Sequence, residues 1–137
     1  FYLHLLSENV TLVQSNAAGE IFEQLFRIGP GDVMLAISFP RYSKITINTA
    51  KFAKNRGATI LGITDNELSP LGQMSSAAVL APSEMISFVD SMVAPMSMIN
   101  ALLVTIGYRM GKNVSATFAE LEDIWNEYGV FGKSDDE

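Results

Sequence analysis

The stretch Asp32-Val33-Met34-Leu35-Ala36-Ile37-Ser38-Phe39-Pro40-Arg41-Tyr42-Ser43-Lys44 decides how this chain is read. It begins as an unbroken apolar run, the pattern of a strand buried on both faces of a parallel sheet. It then turns through residues 38–43 into a helical pattern rich in Lys. A turn of this kind lies at the carboxyl end of its strand. Open α/β sheets bind ligands there, and the first amides of the new helix face any anion. Ser38, Arg41, Ser43 and Lys44 crowd into this one turn. Its chemistry is that of a phosphate cradle.

Upstream, Phe1-Tyr2-Leu3-His4-Leu5-Leu6 reads as the last turns of a helix, ended by Ser7-Glu8-Asn9. Val10-Thr11-Leu12-Val13 reads as a short β-branched strand. Ser15 or Asn16 is placed to cap the next helix, with Glu20 near its positive dipole end. Ile21, Phe22, Leu25, Phe26 and Ile28 give that helix one apolar stripe, and Gly29-Pro30-Gly31 stops it.

Downstream, Ile45, Thr49, Phe52, Ala53 and Arg56 share one helical face, on which only Arg56 is out of place for a core. Gly57 is the C-cap, and Ala58-Thr59-Ile60-Leu61-Gly62-Ile63-Thr64 is a second buried strand. After the turn at Asp65-Asn66, Ser69-Pro70 opens a short helix through Met74, and Ala77-Ala78-Val79-Leu80-Ala81 is a third strand. Strands and helices alternate with short connections, the signature of right-handed βαβ units. The fold class is α/β.

Residues 85–110 form a long apolar region holding five of the seven Met residues. Asp90, Ser91, Pro95, Ser97 and Asn100 interrupt it. It therefore reads as a buried helix kinked or restarted at Pro95, not a membrane span. Apolar nearly all round, it is expected to pack on the sheet and on a second copy of the chain, giving a homodimer. Thr117-x-x-Glu120 resembles a capping box for a last helix whose apolar face is Phe118, Leu121, Trp125 and Tyr128.

A chain of 137 residues, 48% hydrophobic and 18% charged, is one globular domain's worth. Its net charge of −6 argues against nucleic-acid binding by this chain alone. The lack of cysteine fits a reducing, cytoplasmic setting. No secretory signal is read, and no His/Asp/Glu cluster has metal-ligand spacing. Without an initiator Met and opening in mid-pattern, the chain reads as a fragment.

The distribution of charge says more than its total. Between Asp32 and Asp65 there is no acidic residue, yet Arg41, Lys44, Lys51, Lys54 and Arg56 all lie there. An acidic protein has gathered positive potential around one strand-to-helix turn, as an anionic small ligand requires. For Lys51, Lys54 and Arg56 the plainer reading is a solvated face near a helix C-terminus. Arg41 has two readings, a bidentate phosphate clamp or a solvent-facing side chain.

Ile37-Ser38-Phe39-Pro40-Arg41-Tyr42-Ser43-Lys44-Ile45-Thr46 resembles the phosphate loop of sugar-isomerase (SIS) domains, the nearest kind being that of RpiR-type transcriptional regulators. Ala53-Lys54-Asn55-Arg56-Gly57-Ala58, Gly62-Ile63-Thr64-Asp65, Leu68-Ser69-Pro70-Leu71 and Pro82-Ser83-Glu84 follow the same pattern. The resemblance implies a Rossmann-like three-layer α/β/α fold with a parallel sheet in the order 2-1-3-4-5, the family's first strand being missing here. It implies that Ser38 and Ser43 bond phosphate oxygens together with the amides of Tyr42 and Lys44. It also implies that Glu84 faces the sugar, although Glu84 equally reads as a plain helix N-terminal carboxylate. Where the family has a second Ser and a Gly, this chain has Pro40 and Arg41.

The function implied is a phosphosugar-sensing effector domain without a cofactor, controlling DNA binding by a helix-turn-helix domain outside this chain. Two other readings are a sugar-phosphate isomerase and a dimerisation module with a decayed pocket. The isomerase needs a base and usually a second acid or base. His4 is the one His, and Glu84 and Asp90 are the carboxylates placed to serve.

Overall fold

The computed structural model describes residues 1–14, 17–83, 91–111 and 114–131. These fall into two compact units, residues 12–100 and residues 1–11 with 101–137.

In the first unit, β1 (Val33–Ile37), β2 (Thr59–Thr64) and β3 (Ala77–Leu80) form a parallel sheet in that order. Leu35 stands opposite Leu61, and Leu61 opposite Ala77. The crossovers are α3 (Lys44–Asn55) and α4 (Pro70–Met74). The parallel α/β organisation read from the alternation of strands and helices is therefore observed.

Small residues allow the helices to approach the sheet closely. Ala36, Ala50, Ala53, Ala58, Ile60 and Leu71 make the core, with Met34, Ile47, Ile28 and Met74 packed against it. A Cβ built on Gly62 would stand 2.5 Å from the Ser75 Oγ and 3.3 Å from the Leu71 Cγ, so α4 lies directly on β2. The helix α2 (Ala18–Gln24) meets α3 through Phe22 and Phe52, whose rings are 5.4 Å apart and edge to face. Arg56, the oddity on its helix face, is no core residue. As the α3 C-cap it donates to the Phe26 carbonyl and lies over the Phe26 and Phe52 rings, 5.7 Å from each centroid.

Several expectations are corrected here. Residues 10–13 are not a strand: they join no ladder, and Gln14 is tied to the Gln24 side chain instead. β1 is not buried on both faces. Its residues alternate, Ala36 being buried while Val33 and Ile37 are 59% and 43% exposed, because α3 packs on only one side of it. The expected caps Ser15 and Asn16 lie outside the described residues, and the N-cap of α2 is Ala17, without a side-chain bond.

The helix α5 (Val93–Arg109) starts just before Pro95. Pro95 therefore sits in the first turn, where its missing N–H has no intrahelical acceptor to lose. Residues 84–90, with Glu84 and Asp90, lie outside the described residues. Among the described residues no helix is long and apolar enough to cross a membrane.

In the second unit α1 (Tyr2–Leu6) packs on α6 (Val114–Glu127), with Tyr2 and Phe118 rings 6.3 Å apart. Gly107 is buried, and a Cβ there would touch Leu6 and Val114 at 3.4 Å, so the glycine makes room for the buried Leu6. Since α6 starts at Val114, Thr117 stands inside the helix and the expected capping box does not form.

Candidate anion site at the carboxyl ends of β1 and β2

Ser38 continues the sheet one residue beyond β1, its N–H donating to the Ile63 carbonyl at 3.0 Å. Its side chain falls on the covered face with Met34 and Ala36. It is 5% exposed, and among the described residues its Oγ has no hydrogen-bond partner. A buried hydroxyl without a partner costs about 1–3 kcal/mol, so a polar group held there needs a reason.

The chain then reverses through Arg41, whose φ of +71° is the sole positive φ among described non-glycine residues. The left-handed conformation costs a residue with a Cβ about 1–2 kcal/mol. Arg41 thus holds a backbone conformation natural to glycine. Ser43 follows as the N-cap of α3, accepting from the Thr46 N–H at 3.4 Å. The amides of Lys44 and Ile45 have no intrahelical acceptor, and α3 has no acidic residue in its first turn. Arg41, Ser43 and Lys44 are exposed, so this end of α3 presents amides, a hydroxyl and two cations to solvent.

The basic run sorts itself along α3. At its C-terminal end Lys54 donates to the Met74 carbonyl at 2.7 Å, and Arg56 is folded over the phenyl rings. Contrary to the plainer reading, neither side chain is simply solvated: both are held against neighbouring elements of the unit.

Tyr42 is held from the next strand. Its hydroxyl donates to both Asp65 oxygens, at 3.0 and 3.1 Å. Thr64 Oγ1 donates to Asp65 Oδ1 at 3.1 Å, and the Asn66 amide donates to Oδ2. Burial pushes the Asp65 carboxyl up, yet the hydrogen bonds from its own backbone N–H, Tyr42, Thr64 and Asn66 outweigh it and hold the pKa below the usual carboxylate range. The Tyr42 hydroxyl is pushed up by burial and by the same carboxylate.

The turn therefore brings together Ser38, Arg41, Tyr42, Ser43 and Lys44, while Glu84 lies outside the described residues. Asp65, which the sequence marks as a turn residue and as the end of the Gly62-Ile63-Thr64-Asp65 run, joins the site through its place at the carboxyl end of the adjacent strand. His4 is exposed in the last turn of α1. Among the described residues no group of His, Asp and Glu is placed to hold a metal ion. A separate cup of 390 Å³ lined by Phe22, Glu23, Phe26 and Phe52 offers little to an anion.

Residues 1–105 match the family model of the SIS domain. The chain belongs to the SIS domain family. Comparison with curated proteins gave no match. Among solved structures, this SIS domain is similar to the sugar isomerase domain of an RpiR transcription factor from Sphaerobacter thermophilus. The two share 24% identity and a TM-score of 0.75, over 89% of this chain and 68% of that one. It is also similar to the NanR protein of Vibrio vulnificus complexed with ManNAc-6P, with 16% identity and a TM-score of 0.73 over 96% of this chain. The SIS domain described here spans half of that NanR chain. At these identities the likeness is one of fold.

Proposed function

We propose that this SIS domain is the phosphosugar-sensing effector domain of a transcriptional regulator. It binds a sugar phosphate at residues 38–44 and thereby controls DNA binding by a domain outside this chain. The observation that carries the reading is the Ser38 hydroxyl, buried beside a basic helix N-terminus and without a partner among the described residues. In this reading Ser38 and Ser43 donate to phosphate oxygens, the amides of Tyr42 and Lys44 complete the cradle, and Arg41 and Lys44 supply charge. Glu84 takes a sugar hydroxyl. The similarity to an RpiR transcription factor's sugar isomerase domain and to a NanR protein complexed with ManNAc-6P supports the ligand class.

The role inferred is binding without catalysis, in the cytoplasm. We also propose a homodimer through residues 85–110. Support comes from the exposed apolar side chains of α5, with Val93, Val104 and Tyr108 each more than 70% exposed. Communication with DNA then runs through the geometry of the dimer.

Calorimetric titration with a panel of sugar phosphates, their unphosphorylated counterparts and a Ser38→Ala, Ser43→Ala double variant tests the reading. Micromolar binding that requires both the phosphate and the hydroxyls is expected. Silence across the panel would overturn it, and conversion of a bound aldose phosphate to its ketose would replace it with the isomerase.

A further inference from the structure

We propose that Tyr42 and Asp65 are positioning residues, forming a clasp that presets the β1–α3 turn for its anion. The inference rests on the reading of that turn as the ligand site. The turn carries a strained residue at its centre. Pro40 and Arg41 are exposed, and Arg41 adopts a conformation unfavourable for a side chain. Such a conformation persists only when its surroundings over-determine it. The side chain of the next residue, Tyr42, is bonded to the neighbouring βα loop at Asp65.

Its acceptor is itself locked. Both Asp65 oxygens are occupied, Oδ1 by Tyr42 and Thr64, and Oδ2 by Tyr42 and Asn66. With its one proton given to Asp65, the Thr64 hydroxyl accepts from the Ser69 hydroxyl at 2.9 Å. Ser69 in turn accepts from the Gly72 N–H at 3.0 Å, as the N-cap of α4. Thr64 and Ser69 are buried, so the relay from α4 to Tyr42 is anchored in the core of the unit. Asp65 has no lone pair left over for a ligand. Its service to the site is to fix the phenol of Tyr42, and through it the backbone that places the amides of Tyr42 and Lys44.

Positioning is separable from folding. α3 is held by Ala50 and Ala53 in the core, not by Tyr42. Removing the phenolic hydroxyl is therefore expected to free residues 39–43 and leave the fold in place.

The test uses inorganic phosphate as the probe with wild type, Tyr42→Phe, Asp65→Asn and Asp65→Ala. Tyr42→Phe and Asp65→Ala are expected to weaken phosphate binding roughly tenfold, the equivalent of one charge-assisted hydrogen bond. Amide exchange at residues 41–44 is expected to quicken in the same two variants without ligand. Asp65→Asn, which keeps an oxygen acceptor, restores part of both. The Tyr42→Phe melting temperature is expected to stay within about 2 °C of wild type. Wild-type binding that Tyr42→Phe leaves unchanged, or exchange that it does not quicken, overturns the clasp alone. Failure of wild type to bind phosphate at all overturns the ligand site, and the clasp's part in it.

Discussion

Two strand-to-helix turns stand side by side at the carboxyl end of the sheet, and they are finished differently. Both open their helix with a serine N-cap, Ser43 for α3 and Ser69 for α4. In the second turn every hydroxyl is used. Ser69 is 2% exposed, caps Gly72 and bonds Thr64, which bonds Asp65, and Pro70 needs no partner for the N–H it lacks. In the first turn the Ser38 hydroxyl is buried without a partner among the described residues, the Ser43 cap bond is long, and Arg41 occupies a left-handed conformation. The hydroxyls of the second turn are all bonded, while in the first the Ser38 hydroxyl stands unbonded among the described residues. A fold stabilises itself through turns of the bonded kind and binds through turns of the open kind.

The sharpest way to break this contrast is to cut the same atom from each turn. Ser69→Ala removes a cap and a buried bond and is expected to cost about 2 kcal/mol of stability, read as a drop in denaturation midpoint. Ser38→Ala removes a hydroxyl that bonds nothing among the described residues. It is expected to leave the midpoint unchanged or raise it, while phosphate affinity falls roughly tenfold. Equal losses of stability in the two variants would erase the distinction between the turns.

Much of this contrast was legible beforehand. The Ser69-Pro70 signature announced the second turn, and the apolar run of residues 33–37 leading into Ser38 announced the first. The covered core followed from helical spacing and the alternation of strands and helices. What could not be read was pairing. The β-branched run at residues 10–13 has strand composition, but a strand exists only when a neighbour supplies its ladder. Nor does an apolar run such as Val33–Ile37 say which faces are covered, since that depends on helices contributed from elsewhere in the chain. The Tyr42–Asp65 contact spans 23 residues of sequence and joins two crossovers, so no local spacing encodes it.

A smaller effect sharpens the account of Arg41. Both Arg41→Ala and Arg41→Gly lose the guanidinium, and only glycine relieves the positive φ. Relief of about 1–2 kcal/mol, less the entropy glycine loses on folding, leaves Arg41→Gly the more stable by roughly 0.5 kcal/mol. A more stable Arg41→Ala would contradict the geometry of the turn.

The smallest expected effect is one of pH. Asp65 has a folded pKa depressed below its ordinary value of 3.8. Its contribution is therefore complete above that value and is lost as the pH falls through the depressed one. The gap in melting temperature between wild type and Asp65→Asn is expected to hold steady from neutral pH to the ordinary carboxylate range and to close below it. A gap that persists into strong acid would mean that the carboxylate's charge is not what the hydrogen bonds stabilise.

The most direct measurement is an amide-resolved nuclear magnetic resonance titration of the domain with a sugar phosphate. Both turns are then observed in one sample under identical conditions. Saturable shifts concentrated at Ser38 and at Tyr42 to Thr46, with the amides of residues 70–73 nearly still, are the expected result. Shifts centred on the second turn, or none in either, would contradict the assignment of the open turn as the ligand site.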